Sequence, residues 1–171
     1  MRILVACLLI AICVARPISM ANSKPPFVLS ISVESPSAKT GPDSYIVTPG
    51  SEVYIRVHLT NISTHKLELG HDADSRTGVC FEHQYEVRDR NGNPAQKRTI
   101  NHPEIGSTGH GWPGLMLKPG ESTDICEDRI TGLYDLSQPG EYTIQLSRPV
   151  FDYSKTGVVK SNAITVAAKS Y

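Results

Sequence analysis

The chain has 171 residues, with 17 Lys plus Arg against 17 Asp plus Glu, so its formal net charge is zero. Such a balance excludes the strong positive field by which proteins hold nucleic acid or an anionic membrane surface. Hydrophobic residues make up 39% of the chain, and its length suits one domain with an adequate core.

The N-terminus reads as a secretory signal. Met1-Arg2 is a short positive start, Ile3 to Val14 is an uncharged apolar run, and Ser19-Met20-Ala21 places small residues at a cleavage site. A run of 12 residues is too short to span a bilayer, which needs roughly 20. A lipid anchor is not expected, because Cys7 lies too early and Cys13 follows Ile12. The expected organisation is therefore a signal peptide over residues 1–21 and one domain over 22–171, secreted or periplasmic and monomeric. The mature part carries a net charge of −2 because Arg2 and Arg16 leave with the signal. No second apolar run is long enough for a transmembrane span.

The rest of the chain alternates with period 2. Phe27, Leu29, Ile31 and Val33 form one apolar face, and Val53, Ile55, Val57 and Leu59 form the clearest one, broken by Asn61-Ile62-Ser63-Thr64 before Lys66–Leu69 resumes. Val79 to Asp89 alternates again, with Val79, Phe81, Tyr85 and Val87 on one side. Asn91-Gly92 follows at once, the pair expected to supply two positive-φ residues for a tight hairpin. Pro119-Gly120 and Pro139-Gly140 punctuate the second half. Tyr142, Ile144 and Leu146 face inward in the next strand, and Val158, Val159, Ile164 and Val166 belong to the last, where Asn162-Ala163 marks a bulge or a register change. No stretch sustains helical periodicity. About seven short strands with regular turn signals predict a sandwich or barrel. The Pro139-Gly140 corner leading into Tyr142 favours a sandwich, because a tyrosine there buries its ring and returns its hydroxyl across the loop.

Cys80 and Cys126 are the only cysteines outside the signal. In an exported domain they are expected to form one disulfide, closing a loop of about 46 residues worth roughly 3–4 kcal/mol of chain entropy.

Four segments follow in an order with a familiar look: Val57–Ser63, Tyr85–Gly92, Leu117–Ser122 and Gln138–Ile144. The series resembles bacterial immunoglobulin-like domains of the intracellular proteinase inhibitor type, over about residues 50–166. The resemblance implies an all-β, immunoglobulin-like antiparallel β-sandwich with Greek-key connections. It also implies a proteinase as one class of partner, although this chain departs from the type in its signal and its cysteine pair.

Chemistry-bearing patterns are sparse. Six histidines (His58, His65, His71, His83, His102 and His110) show no H-x-H or H-x-x-x-H spacing. His58 is expected to be solvated and His83 to be a hydrogen-bonded core histidine. His102 and His110 are the weak metal candidates, with Met116 nearby as a soft donor. Asp72-Ala73-Asp74 opens like a calcium loop but lacks its later ligands. There is no G-x-S-x-G or phosphate-binding glycine loop, so neither an enzyme nor a cofactor is expected. Asn61-Ile62-Ser63 is a glycosylation sequon only in a host that glycosylates exported proteins. The segment Ile100 to Gly114 stands out: about 15 residues, glycine-rich, with Asn101, His102, Glu104, His110 and the only tryptophan, Trp112. Long loops of this kind are often functional, so it is the candidate contact surface for a protein or glycan; the alternative is that Trp112 folds back as a lid on the core. The expected function is a non-catalytic binding module, with a proteinase inhibitor as the alternative and a Cu or Zn carrier as the lesser one.

Overall fold

A computed structural model describes residues 24–69, 73–74, 77–80, 82–99, 114–152 and 155–169. Among them there is no α-helix, and no helix long and apolar enough to cross a membrane. The strands are Phe27–Val33 (β1), Ala38–Gly41 (β2), Ser44–Val47 (β3), Tyr54–Asn61 (β4), Leu67–Leu69 (β5), Ala73–Asp74 (β6), Val79–Cys80 (β7), Gln84–Asp89 (β8), Leu115–Leu117 (β9), Ser122–Arg129 (β10), Gly140–Asp152 (β11) and Lys155–Ala168 (β12). One short 3-10 turn, Ile130–Gly132, follows β10.

Two sheets carry the fold, ordered β1-β4-β10 and β2-β3-β12-β11-β8. All their pairings are antiparallel except β3 beside β12. Both sheets contribute to a single apolar cluster: Phe27, Leu29 and Ile31 from β1, Ile55, Val57 and Leu59 from β4, and Ile144, Leu146, Ile164 and Val166 from β11 and β12. The molecule is an all-β sandwich, and the alternation of β1, β4 and β11 is the cause, since each turns a run of apolar residues to the other sheet. Among the described residues twelve strands replace the seven or so expected, because β2, β3, β6 and β9 are too short to show a period and β7 is set apart from β8 by a turn. The sandwich itself uses eight of them.

The last strand contains the anticipated register change. The pairing of β11 with β12 shifts between Gln145 and Ser147, so Val159 and Ser161 face inward before it and Ile164, Val166 and Ala168 after it. Val158, on the other face, is 62% exposed. The displaced Asn162 uses its side chain as a strand residue would use its backbone. Its Oδ1 accepts the Ile31 N–H at 2.8 Å, and its Nδ2 donates to the Ile31 carbonyl at 3.2 Å and to Asp43 Oδ1 at 2.7 Å. Since Ile31 lies on β1, the bulge ties the edge of one sheet to the other.

Several local expectations change. Residues 79–89 do not make one strand, because His83 N–H donates to the Cys80 carbonyl at 2.9 Å and the chain turns there. The Asn91-Gly92 turn has only one positive-φ residue, Gly92 at 83°. A three-residue loop results, in which Gly92 N–H donates to the Asp89 carbonyl and Asp89 N–H to the Asn93 carbonyl. The Asp89 carboxylate accepts the Asn91 and Asn93 N–H groups, so Asn91 needs no left-handed backbone. Lys118-Pro119-Gly120-Glu121 is a type II turn with Gly120 at φ 80° and a bond from Glu121 N–H to the Lys118 carbonyl. Asn61 is not a usable glycosylation site in this fold: it continues the inward parity of β4 and is fully buried, with Nδ2 donating to the carbonyls of His65 and Leu117.

Replacing Asn162 by Ala should leave the Ile31 backbone groups unpaired and lower stability by about 1–3 kcal/mol in urea denaturation. Val158→Ser, on the exposed face of the same strand, should change it by less than about 0.5 kcal/mol.

Candidate functional site

The chemically richest place among the described residues lies between the sheets, on the side where β10 faces β8. β10 runs inward-outward as the other strands do, but a register shift between Asp124 and Cys126 resets its parity. Cys126 then stands opposite Val57 and Asp128 opposite Ile55, so both share the core-facing side of β4. Asp128 is thereby driven into the interior, with 0% exposure. A buried carboxylate survives only if its lone pairs are satisfied. Here Cys80 N–H donates to Oδ1 at 2.8 Å, while Tyr85 Oη–H at 2.6 Å and His83 Nδ1 at 2.5 Å both engage Oδ2.

Histidine 83 is equally enclosed, its side chain 0% exposed. Its second nitrogen, Nε2, lies 2.9 Å from Arg148 Nη1. A guanidinium only donates, so Nε2 must accept and the imidazole proton must sit on Nδ1, aimed at Asp128. The result is a linear chain of cation, neutral imidazole and anion, running from Arg148 through His83 to Asp128. Arg148 has the same inward parity as Ile144 and Leu146, and burial lowers its pKa from the ordinary guanidinium value. Glu82 adds a carboxylate with Oε2 at 3.8 Å from Arg148 Nη2. Burial pushes the Tyr85 phenol well above its ordinary value of 10.0, and the neighbouring Asp128 charge adds to the rise.

The disulfide borders this network. Cys80 on β7 and Cys126 on β10 are bonded, with Cα atoms 6.8 Å apart. One donor atom from each of Cys80, His83, Cys126 and Asp128 falls within 4.8 Å of the others.

In a hydrolytic triad the outer imidazole nitrogen faces a hydroxyl whose proton it takes. In this chain it faces a permanent donor, so the His83 imidazole has no free nitrogen with which to act as a base. The arrangement joins sheets: Asp128 belongs to one and Tyr85 and Arg148 to the other.

The remaining predicted residues fall elsewhere. The His58 side chain is solvent-exposed, as expected, and its Nδ1 lies 2.8 Å from Asp124 Oδ1 on the outer face of the three-stranded sheet. Asn91, Pro139, Gly140 and Tyr142 come together where β8 ends and β11 begins, lining an open groove of about 880 Å³ with Arg90 and Lys169. Tyr142 Oη donates to the Gln138 carbonyl at 3.0 Å, across the corner. Pro119 and Gly120 turn the chain into β10, apart from that groove. Asn101, His102, Glu104, His110 and Trp112 lie outside the described residues, as do His71 and the signal segment. Sequence reasoning passed over Asp128, Arg148 and Tyr85 as polar partners of His83. The parity of Arg148 was an available signal, whereas Asp128 was hidden by the register shift before it. No protein-family model matches the chain, and no curated protein matches it.

Asp128→Ala should leave the Cys80 N–H, the Tyr85 hydroxyl and His83 Nδ1 without their buried acceptor and lower stability by about 3–5 kcal/mol in chemical denaturation. Tyr85→Phe should cost about 1.5–3 kcal/mol at pH 7, the scale of a hydrogen bond to a charged group. The phenol's folded pKa is raised, so its contribution is complete below pH 10 and is lost as pH rises above it. Denaturation midpoints from pH 9 to 11.5 should therefore fall less steeply in the Phe variant.

Proposed function

We propose that this protein is an exported, non-catalytic binding module whose immunoglobulin-like sandwich presents end loops to a protein or glycan surface. The observation that carries the reading is the inward direction of its strongest chemical groups. Asp128, His83, Tyr85 and Arg148 are buried and bonded to one another, so they serve the framework and leave recognition to surface segments. The strand order supports an immunoglobulin-like topology, since β1-β4-β10 opposes β3-β12-β11-β8 with a parallel β3–β12 pair at one edge. A disulfide and a bracing ion network suit a module that must persist outside the cytoplasm. Residues 100–114 form the main contact surface in this reading, with Trp112 as its anchor and Asn101, His102, Glu104 and His110 around it.

The proteinase inhibitor of immunoglobulin-like type is the second reading, favoured by the turn and corner segments Tyr85–Gly92 and Gln138–Ile144. A metal carrier at His102 and His110 is the third.

Capture from native envelope extract should retain a partner on the intact protein and lose it when residues 100–114 are shortened, with the melting temperature unchanged. The same purified protein should leave a panel of proteases uninhibited at micromolar concentration. Inhibition of one of them, abolished by the shortened loop, would replace this reading with the second.

A further inference from the structure

We infer that Cys80, Cys126, His83 and Asp128 form a redox-gated site for a borderline-soft divalent cation of the zinc type, available only when the disulfide is reduced. Two sulfurs, one imidazole nitrogen and one carboxylate oxygen already converge within 4.8 Å. Two thiolates with an imidazole and a carboxylate form a tetrahedral donor set that suits Zn²⁺ and disfavours Ca²⁺ or Mg²⁺, which need more oxygen ligands. Geometry favours the set further. His83 presents Nδ1 toward Asp128, and Asp128 is oriented by the Cys80 N–H and the Tyr85 hydroxyl, the kind of outer contact that holds a metal-ligating carboxylate.

Charge explains how a buried place can hold a dication. A divalent ion with two thiolates adds no net charge to an interior where two carboxylates, Asp128 and Glu82, face one guanidinium, Arg148, and that excess of one negative charge itself favours a cation. In the oxidised state the sulfurs are bonded to each other and ligate nothing. A dithiol reductant changes this: the Sγ–Sγ bond breaks, the reductant gives two electrons and two protons and leaves as its own disulfide, and Cys80 and Cys126 become thiols. The cation then displaces the two thiol protons to solvent. His83 gives up its Nδ1 proton and takes one on Nε2, which Arg148 now faces with a donor. Arg148 must therefore turn away, and Glu82 is placed to receive it: Oε2 is buried, accepts no hydrogen bond among the described residues, and stands 3.8 Å from Nη2. A buried carboxylate oxygen left without a hydrogen bond is unusual. A second position for the Arg148 guanidinium accounts for it.

The test uses the purified protein, oxidised or reduced with a phosphine, titrated with Co²⁺ as an optical probe and then with Zn²⁺. The reduced protein should bind one equivalent of Co²⁺ with intense visible absorption of a tetrahedral site and a near-ultraviolet thiolate charge-transfer band. Zn²⁺ should displace it, and the oxidised protein should show neither band. His83→Gln and Asp128→Asn should change the visible band, and Glu82→Gln should weaken Zn²⁺ binding by about tenfold to a hundredfold. The inference is overturned if the reduced protein keeps its near-ultraviolet circular dichroism yet binds no metal. It is equally overturned if the bands are unaffected by His83→Gln and Asp128→Asn, which would leave only a thiol pair. Reduced protein that unfolds and is not refolded by Zn²⁺ also overturns it.

Discussion

The burial of one carboxylate organises this molecule. Asp128 has no exposure, and removing a charge from water is tolerated only where donors replace the solvent. Those donors come from three places in the chain: the backbone of Cys80, the phenol of Tyr85 and the imidazole of His83. Each must be delivered to within hydrogen-bond distance at once. That requirement fixes how the β7 segment lies along β10 and how β8 faces it. Arg148 completes the set by bringing a compensating cation from β11.

The two sheets are thus joined by different devices on their two sides. Where β10 faces β8, an ionic network spans the sheets and a disulfide ties the β7 segment to β10. Where β1 faces β12, a neutral amide, Asn162, extends the hydrogen-bond ladder from one sheet to the other. Between them lies an apolar interior of Ile55, Val57, Leu59, Ile144, Leu146, Ile164 and Val166, which supplies burial without direction. Hydrophobic contact alone would let the sheets slide. The polar ties are directional, and they select one alignment.

This division of labour bears on function. Groups that in other settings perform acid–base chemistry are here consumed by the framework, and the neutral His83 is held between a permanent donor and a permanent acceptor. The same enclosure makes the cysteine pair a natural place for a second state. Its sulfurs border a ready imidazole and carboxylate, so breaking one covalent bond converts a staple into a donor set. Recognition, in the proposed reading, falls to the segment around Trp112, which follows the Arg98 N–H bond to the Leu133 carbonyl and precedes the short strand β9.

Alternation by itself determined the class of this fold. Phe27 to Val33, Val53 to Leu59 and Tyr142 to Leu146 repeat with period 2, and that period is a property of the extended backbone, independent of partners. The Asn162 irregularity was also legible, because an odd insertion breaks the period locally. The short strands β2, β3 and β9 were not, since three or four residues are too few to show a repeat, whereas β5 was read as the resumption over Lys66–Leu69. β10 was hidden for a different reason: its register shift and the inward Asp128 make its pattern read as polar. The clustering of Cys80, His83, Asp128 and Arg148 was decided by tertiary structure alone. Those residues lie on three strands and the turn between β7 and β8, up to 68 positions apart in the sequence, and no local spacing encodes a meeting that depends on how two sheets are stacked.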